Sequence, residues 1–249
     1  MAVFQRLIRF EDEDGQVQWG DFGSEEVGRD VEGKTAHILN GSVEDGFKKT
    51  DRQGKIKKLL SPLPHTPIVL CVGLNYKQHA EEGNLAVPTY PAIFMKPPTA
   101  LSGPNTPISI HPDCQSQLDY EGELTIVIGK TGKNIQAAAY ADHVLGYTVG
   151  NDVSARNFQL PASASGGQFG YAKSFDGFAP IGPCIASQEA IGGDPNKIRY
   201  WTKVNGEKRQ ETGTDDMIWT DPKGFVKDGD EVEIYVEGIG SLVNTIKFE

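Results

Sequence analysis

LDYEGELTIVIG, residues 118–129, is the stretch on which the fold turns. Leu124 to Ile128 is apolar and rich in β-branched residues, and Gly129 closes it, which is the pattern of a strand. Glu121 and Glu123 enter that strand with a single residue between them. Residues i and i+2 of a strand share a face, so two like charges stand together. Repulsion and burial both raise a carboxyl pKa and cost energy. Two arrangements relieve that cost: water at an exposed strand end, or a divalent cation beside the acids.

Outward from this stretch the chain keeps producing strands. IVLCVGL (68–74) reads as a buried strand and makes Cys71 a core residue. AIFMK (92–96), ISI (108–110), HVLGYTVGND (143–152), FAPIGPCI (178–185), IRYWTKV (198–204), EVEIYVE (231–237) and SLVNTIKF (241–248) follow. Asn205-Gly206 is a type I′ hairpin turn, and residues 238–240, GIG, turn a last hairpin. Helical patterns are few: Tyr76 to Glu82 and Ile135 to His143. Before position 65 lie short strands, FQRLIRF, QVQWGDF and KTAHIL, with a short helix expected within Lys48 to Leu60. Three prolines between residues 61 and 67 mark a boundary. The expectation is a β-rich α+β chain, with a small N-terminal β module over 1–64 and a main domain over 65–249.

Composition narrows the function. The 249 residues carry a formal net charge of −10 and no basic cluster beyond Lys55-Ile56-Lys57-Lys58. That excludes a nucleic-acid surface, and an anionic ligand would need locally supplied positive charge. No apolar run reaches membrane-spanning length, so no membrane partner is expected. Cys71, Cys114 and Cys184 form no CxxC pair and read as reduced thiols. The acidic N-terminus disfavours a mitochondrial leader, leaving the cytoplasm as the expected compartment.

Few residues stand out chemically. Asp152 ends an apolar strand, where sites are often built. With Glu121 and Glu123 it would make an all-oxygen site suited to Mg²⁺, Mn²⁺ or Ca²⁺ rather than zinc. His79 and Glu82 are three apart on a helical pattern, so they share a face. A carboxylate there makes imidazole a better base; a surface helix among acids is the plainer reading. Lys173 and Lys96 are lone cations in apolar, turn-flanked stretches, placed to neutralise an enolate or carboxylate or simply to snorkel. Arg156 and Gln159 follow Asp152 and are candidates to hydrogen-bond a substrate. No G-x-S-x-G elbow, phosphate loop or G-x-G-x-x-G is present.

CVGLNYKQHAEE (71–82), AIFMKPPTALSGP (92–104), LDYEGELTIVIGK (118–130), GYTVGNDVSARNFQ (146–159) and KSFDGFAPIGPCI (173–185) resemble, in order and spacing, the fumarylacetoacetate hydrolase family. DMIW (216–219) and DGDEVEIYVEGIGSLVNT (228–245) resume the likeness, and the acylpyruvase and domain-containing-2-like branch is the most similar. The resemblance implies a mixed β-roll and a homodimer. It places Glu121, Glu123 and Asp152 on metal ligands, usually for Mg²⁺ or Mn²⁺. His79 falls on the general base, Glu82 on its partner in a short lid helix, Lys173 on the lysine facing the developing enolate, and Lys96 and Gln159 on supporting polar positions. The implied activity is metal-dependent hydrolysis of a C–C bond in a 1,3-diketo acid. Oxaloacetate tautomerisation or decarboxylation is the alternative within the same enolate chemistry. The chain departs from the family pattern between residues 219 and 228, where a Gly-Thr-Pro-x-Gly loop is absent; Thr212-Gly213-Thr214 precedes the DMI motif and is a different element. The shortening leaves open a pocket for a larger, less acidic β-diketone, or a metal-binding paralogue without turnover.

Overall fold

The computed structural model describes residues 3–82, 84, 86–160, 162–215 and 224–249, the side chains of Gln78, His79, Glu82 and Ala162 excepted. The leading strands are β1 (Arg6–Asp12), β2 (Val17–Asp21), β3 (Thr35–Ser42) and β4 (Gly46–Leu60). β1 pairs with β2 and also with β4, so the four strands close on themselves. Phe10 fills the interior: a Cβ at Gly20 or Gly54 would come within 3.0 and 3.1 Å of its ring. The residues from Lys48 to Leu60 belong to β4 and form no helix. Phe47, Ile56 and Leu59 are buried, while Lys55 and Lys57 reach across to Glu13 and Glu11 at 2.6 and 2.7 Å. Pairing with β3 and β1 overrides the helix preference of lysine-rich sequence.

The rest of the chain supplies β5 (Val69–Gly73), α1 (Lys77–Glu82), β6 (Ala92–Lys96), β7 (Leu101–Ser102), β8 (Ile108–Ile110), β9 (Leu118–Asp119), β10 (Gly122–Ile128), β11 (Val144–Asn151) and β12 (Ser154–Ala155). Three short helices follow, α2 (Arg156–Gln159), α3 (Ala162–Ser165) and α4 (Gly170–Lys173), and then β13 (Ala179–Ala186), β14 (Arg199–Val204), β15 (Glu207–Gly213), β16 (Glu231–Val236) and β17 (Gly240–Phe248). The Ile135–His143 segment is a 3₁₀ helix over Ala137–His143. One sheet runs β10-β11-β13-β1-β2-β3-β4, so the leading strands extend it through Arg6↔Ala186 and Leu7↔Ile185. A second sheet runs β15-β14-β16-β17-β8. Most neighbours are antiparallel, whereas β7–β13 and β8–β17 are parallel, giving a mixed β-roll. The β14–β15 turn has both Asn205 (φ 52°) and Gly206 (φ 80°) in the left-handed region, as a type I′ turn requires.

The two sheets enclose one core that includes Phe10, Tyr147, Val149, Phe178, Ile234 and Leu242. β11 is buried from Gly146 to Asn151, because it lies inside the sheet and is covered on both faces. Gly122 sits where the sheets approach: a Cβ there would lie 2.6 Å from Thr202 Oγ1 and 3.1 Å from Ile234. Strand alternation turns Glu121 and Glu123 to the opposite face.

The β5–β6 ribbon overturns one expectation. Leu70 and Val72 are exposed, as are their cross-strand partners Met95 and Ile93. The inward positions carry Cys71, Phe94 and Lys96. The strand read as buried thus turns its larger apolar side chains outward. The cause is the inner face, which is committed to a polar cluster.

Candidate functional site

The cluster is assembled by chain pairing. β10 and β11 run antiparallel with Gly122 opposite Asn151 and Glu123 opposite Gly150. Glu121 and Asp152, just past those ends, are joined by Asp152 N–H donating to Glu121 O at 2.9 Å. The β9–β12 pair sets Asp119 opposite Ser154, immediately before α2 begins at Arg156. Glu121, Glu123, Asp152, Lys96, Lys173, Arg156 and Gln159, far apart in sequence, meet here.

Lys173, 2% exposed at the end of α4, donates to Glu121 Oε2 at 2.9 Å and to Asp152 Oδ2 at 2.6 Å. Its ammonium lies 5.2 Å from the centre of the Phe94 ring, a favourable cation–π placement. Lys96 is 1% exposed and donates to Phe178 O at 2.6 Å and Val153 O at 3.1 Å, with Asp152 Oδ1 2.6 Å away. The two carbonyls take two of the ammonium's three N–H groups and its charge lies against Asp152 Oδ1, so Lys96 is turned toward Asp152. Arg156 gives Nε to Asp119 Oδ2 at 2.7 Å, Nη2 to Glu121 Oε1 at 2.6 Å and Nη1 to Gln159 Oε1 at 2.5 Å. The carbonyl of Gln159 is thereby engaged, and its amide N–H₂ has no acceptor among the described residues.

The electrostatics separate the three acids. Burial drives Glu121 upward, but Lys173 and then Arg156 outweigh it and hold the carboxyl below its ordinary range. Burial, followed by the charges of Glu121 and Asp152, pushes Glu123 up to about 8. Glu123 has no hydrogen bond or ion pair with any described residue. Burial also raises Asp152, against the pull of Lys96. The thiol of Cys71, on the inner face of the ribbon, is pushed up to about 12 by burial and then by Asp152. Cys71 is half-buried beside this cluster, not a core residue.

Four carboxyl groups (Asp119, Glu121, Glu123, Asp152) face three cations (Lys96, Lys173, Arg156), so one acid has no cation of its own. That acid is Glu123, and its raised pKa means that it holds its proton until a cation comes beside it. Gly150, opposite Glu123, is closely packed: a Cβ there would sit 2.3 Å from Thr125 Oγ1 and 3.7 Å from the Glu123 Cβ. Asp152 Oδ1 also accepts no well-aligned hydrogen bond. An all-oxygen donor set with one acid lacking a cation partner and free lone pairs suits Mg²⁺ or Mn²⁺, so the residues present fit such an ion chemically. As the side chains stand, no three His, Cys, Asp or Glu side chains among the described residues converge to hold a metal. Lys173 instead bridges two of the acids.

α1 carries His79 and Glu82, whose side chains lie outside the described ones. Residues 216–223, with the DMI motif and part of the shortened segment, are also outside the description. Thr214 donates to Pro195 O at 2.6 Å and accepts from Ile198 N–H at 3.2 Å, so it ties down β14. Sequence reasoning missed Asp119 and Phe94. Asp119 stands inside the opening stretch, two residues before Glu121, but only the β9–β12 register brings it to Arg156. No helix among the described residues is long and apolar enough to cross a membrane.

Residues 68–223 match the family described as fumarylacetoacetate (FAA) hydrolase, C-terminal. The chain is 35% identical over 224 residues to oxaloacetate tautomerase YisK of Bacillus subtilis, covering 76% of this chain and 73% of that one. It is 34% identical over 219 residues to the mitochondrial oxaloacetate tautomerase FAHD2A of Bos taurus, covering 75% and 68%. The crystal structure of 2-hydroxyhepta-2,4-diene-1,7-dioate isomerase from Mycobacterium marinum superposes with a TM-score of 0.80 at 33% identity, over 98% of this chain and 99% of that one. A mixed β-roll that gathers the acids of its β10–β11 hairpin around buried lysines, matched over this much of its length, makes the chain a member of the fumarylacetoacetate hydrolase family of enzymes.

Proposed function

We propose that this protein moves a proton through the enolate of a small 2-oxo or 1,3-dioxo acid, with keto–enol tautomerisation of an oxaloacetate-type dicarboxylate as its reaction. One observation carries the reading: the buried Lys173 ammonium, held between Glu121 and Asp152 next to the unpaired Glu123. Two relatives that share about a third of their residues with the chain are named oxaloacetate tautomerases, and this weights tautomerisation above hydrolysis. Lys173 keeps one N–H beyond its two carboxylate bonds, and that donor meets the oxygen on which enolate charge develops. In this reading His79 takes the proton from the substrate carbon, helped by Glu82, and the proton returns on the enol oxygen or carbon, so composition is unchanged. The Gln159 amide and Arg156 line the acid-binding side. Mg²⁺ or Mn²⁺, which Glu121, Glu123 and Asp152 would hold, supplies Lewis-acid polarisation of the 2-oxo carbonyl, and Ca²⁺ shares the same ligand preference. The free thiols Cys71, Cys114 and Cys184 suit a reducing cytoplasm.

A second reading is C–C hydrolysis of an acylpyruvate. The match to a family named for a hydrolase favours it. The test follows the ultraviolet absorbance of enol oxaloacetate with Mg²⁺ or Mn²⁺, against EDTA and Lys173→Met controls, with acetylpyruvate in parallel. Enol loss above the spontaneous rate, without CO₂ or new acids, is expected. Two acids from acetylpyruvate with no effect on the oxaloacetate enol would replace the first reading by the second. CO₂ release would make the protein a decarboxylase, and no turnover of either compound would overturn both readings.

A further inference from the structure

Asp119 has no part in the chemistry described above, yet it holds the largest share of Arg156. Its Oδ2 takes both Nε and Nη2, each at 2.7 Å, while Oδ1 accepts from Tyr120 N–H at 3.0 Å and so fixes the carboxyl plane. Guanidinium prefers to grip a carboxylate through two parallel N–H bonds. Here Asp119 occupies the Nε–Nη2 edge and Gln159 occupies Nη1, so Glu121 receives a single contact from Nη2. The division of Arg156 between two acids depends on the same residue. Without the Asp119 carboxylate, Arg156 would keep Glu121 as its one acidic partner.

We propose that Asp119 is a positioning residue that shares out the Arg156 guanidinium and thereby keeps Glu121 open to a divalent cation. The inference rests on the reading of Glu121, Glu123 and Asp152 as the cation's ligands. The backbone makes the arrangement: β9 pairs Asp119 with Ser154 two residues before Arg156, and the chain reaches Glu121 two residues after Asp119. One short pairing therefore sets the arginine and both of its acidic partners. Removing the Asp119 charge lets Arg156 turn its full fork on Glu121, and the arginine then competes with a cation for that carboxylate.

The experiment is Mn²⁺ binding to the whole chain without substrate, followed by calorimetry and by the Mn²⁺ paramagnetic resonance signal, with a thermal melt to verify folding. Asp119→Asn is expected to weaken Mn²⁺ about 10- to 100-fold, the range typical of groups that orient metal ligands. Asp119→Glu is expected to stay within about threefold of the parent. Asp119→Asn combined with Arg156→Gln is expected to recover part of the loss, because the competing cation is gone. A merely structural Asp119 would make that double variant worse than the single one. Equal Mn²⁺ affinity in the parent and Asp119→Asn would overturn the inference while leaving the metal site standing. No Mn²⁺ binding by the parent would overturn the reading of the ligands and this inference with it.

Discussion

Replacing Lys96 by methionine tests how the site is held together. Methionine keeps most of the unbranched stem and removes only the ammonium. The parent spends that ammonium on Asp152 Oδ1, Phe178 O and Val153 O, all within 3.1 Å and all in a nearly dry interior. Taking away one partner of a buried ion pair costs about 3–5 kcal/mol, because the other charge stays behind unpaired. Asp152 keeps Lys173 at 2.6 Å, which places the cost toward the lower end, about 3 kcal/mol. For a chain of this size each kcal/mol moves the midpoint by about 2–4 °C, so Tm should fall by about 6–12 °C. The assay is urea and thermal unfolding at pH 7 without added metal. Lys96→Met combined with Asp152→Asn removes both charges and should recover about 1–2 kcal/mol relative to the single variant. A Lys96→Met protein within about 0.5 kcal/mol of the parent would refute the reasoning. So would a double variant less stable than the single one, since Lys96 would then not be acting through Asp152.

Two further outcomes follow from the ribbon. Cys71 is reachable but its thiol is pushed up to about 12 by burial and the neighbouring acids. It should therefore alkylate with iodoacetamide at pH 8 at least about 100-fold slower than a free thiol, and its rate should keep rising about tenfold per pH unit where a free thiol levels off; fast labelling at pH 8 counts against the placement. The outward Leu70, Val72, Ile93 and Met95 are two directly paired rungs of exposed apolar surface, and a contiguous patch of this kind marks an association surface. We propose that a second copy of the chain covers it: light scattering should give a dimer for the parent and a monomer for Leu70→Glu with Met95→Glu, and a monomeric parent would remove the proposal.

The elements were legible where local pattern and environment agree. Alternation and β-branching announced β10, β11, β14, β16 and β17, and Asn205-Gly206 announced its turn, because only neighbours along the chain set these features. Reading failed where a distant partner decides. The Lys48–Leu60 stretch is a strand only because β1 and β3 flank it and Glu11 and Glu13 take its lysines. Residues 68–74 look buried because they are apolar, yet Leu70 is 64% exposed, since the inner face of the ribbon is filled by Phe94 and Lys96.

The candidate site divides in the same way. Residue type and motif order were enough to single out Glu121, Glu123, Asp152, Lys96, Lys173, Arg156 and Gln159, since chemistry of that kind is written in single letters and their spacing. Which lysine is held by backbone carbonyls and which bridges two acids is not written there. Lys96 and Lys173 sit in similar apolar, turn-flanked contexts. Three-dimensional packing alone surrounds one with two carbonyls and an acid and leaves the other an N–H to give. Asp119 and the lack of a cation partner for Glu123 belong to the same category. Charge balance is a sum over groups brought within a few ångströms by the β9–β12 and β10–β11 pairings, and a linear chain has no such sum until those strands meet.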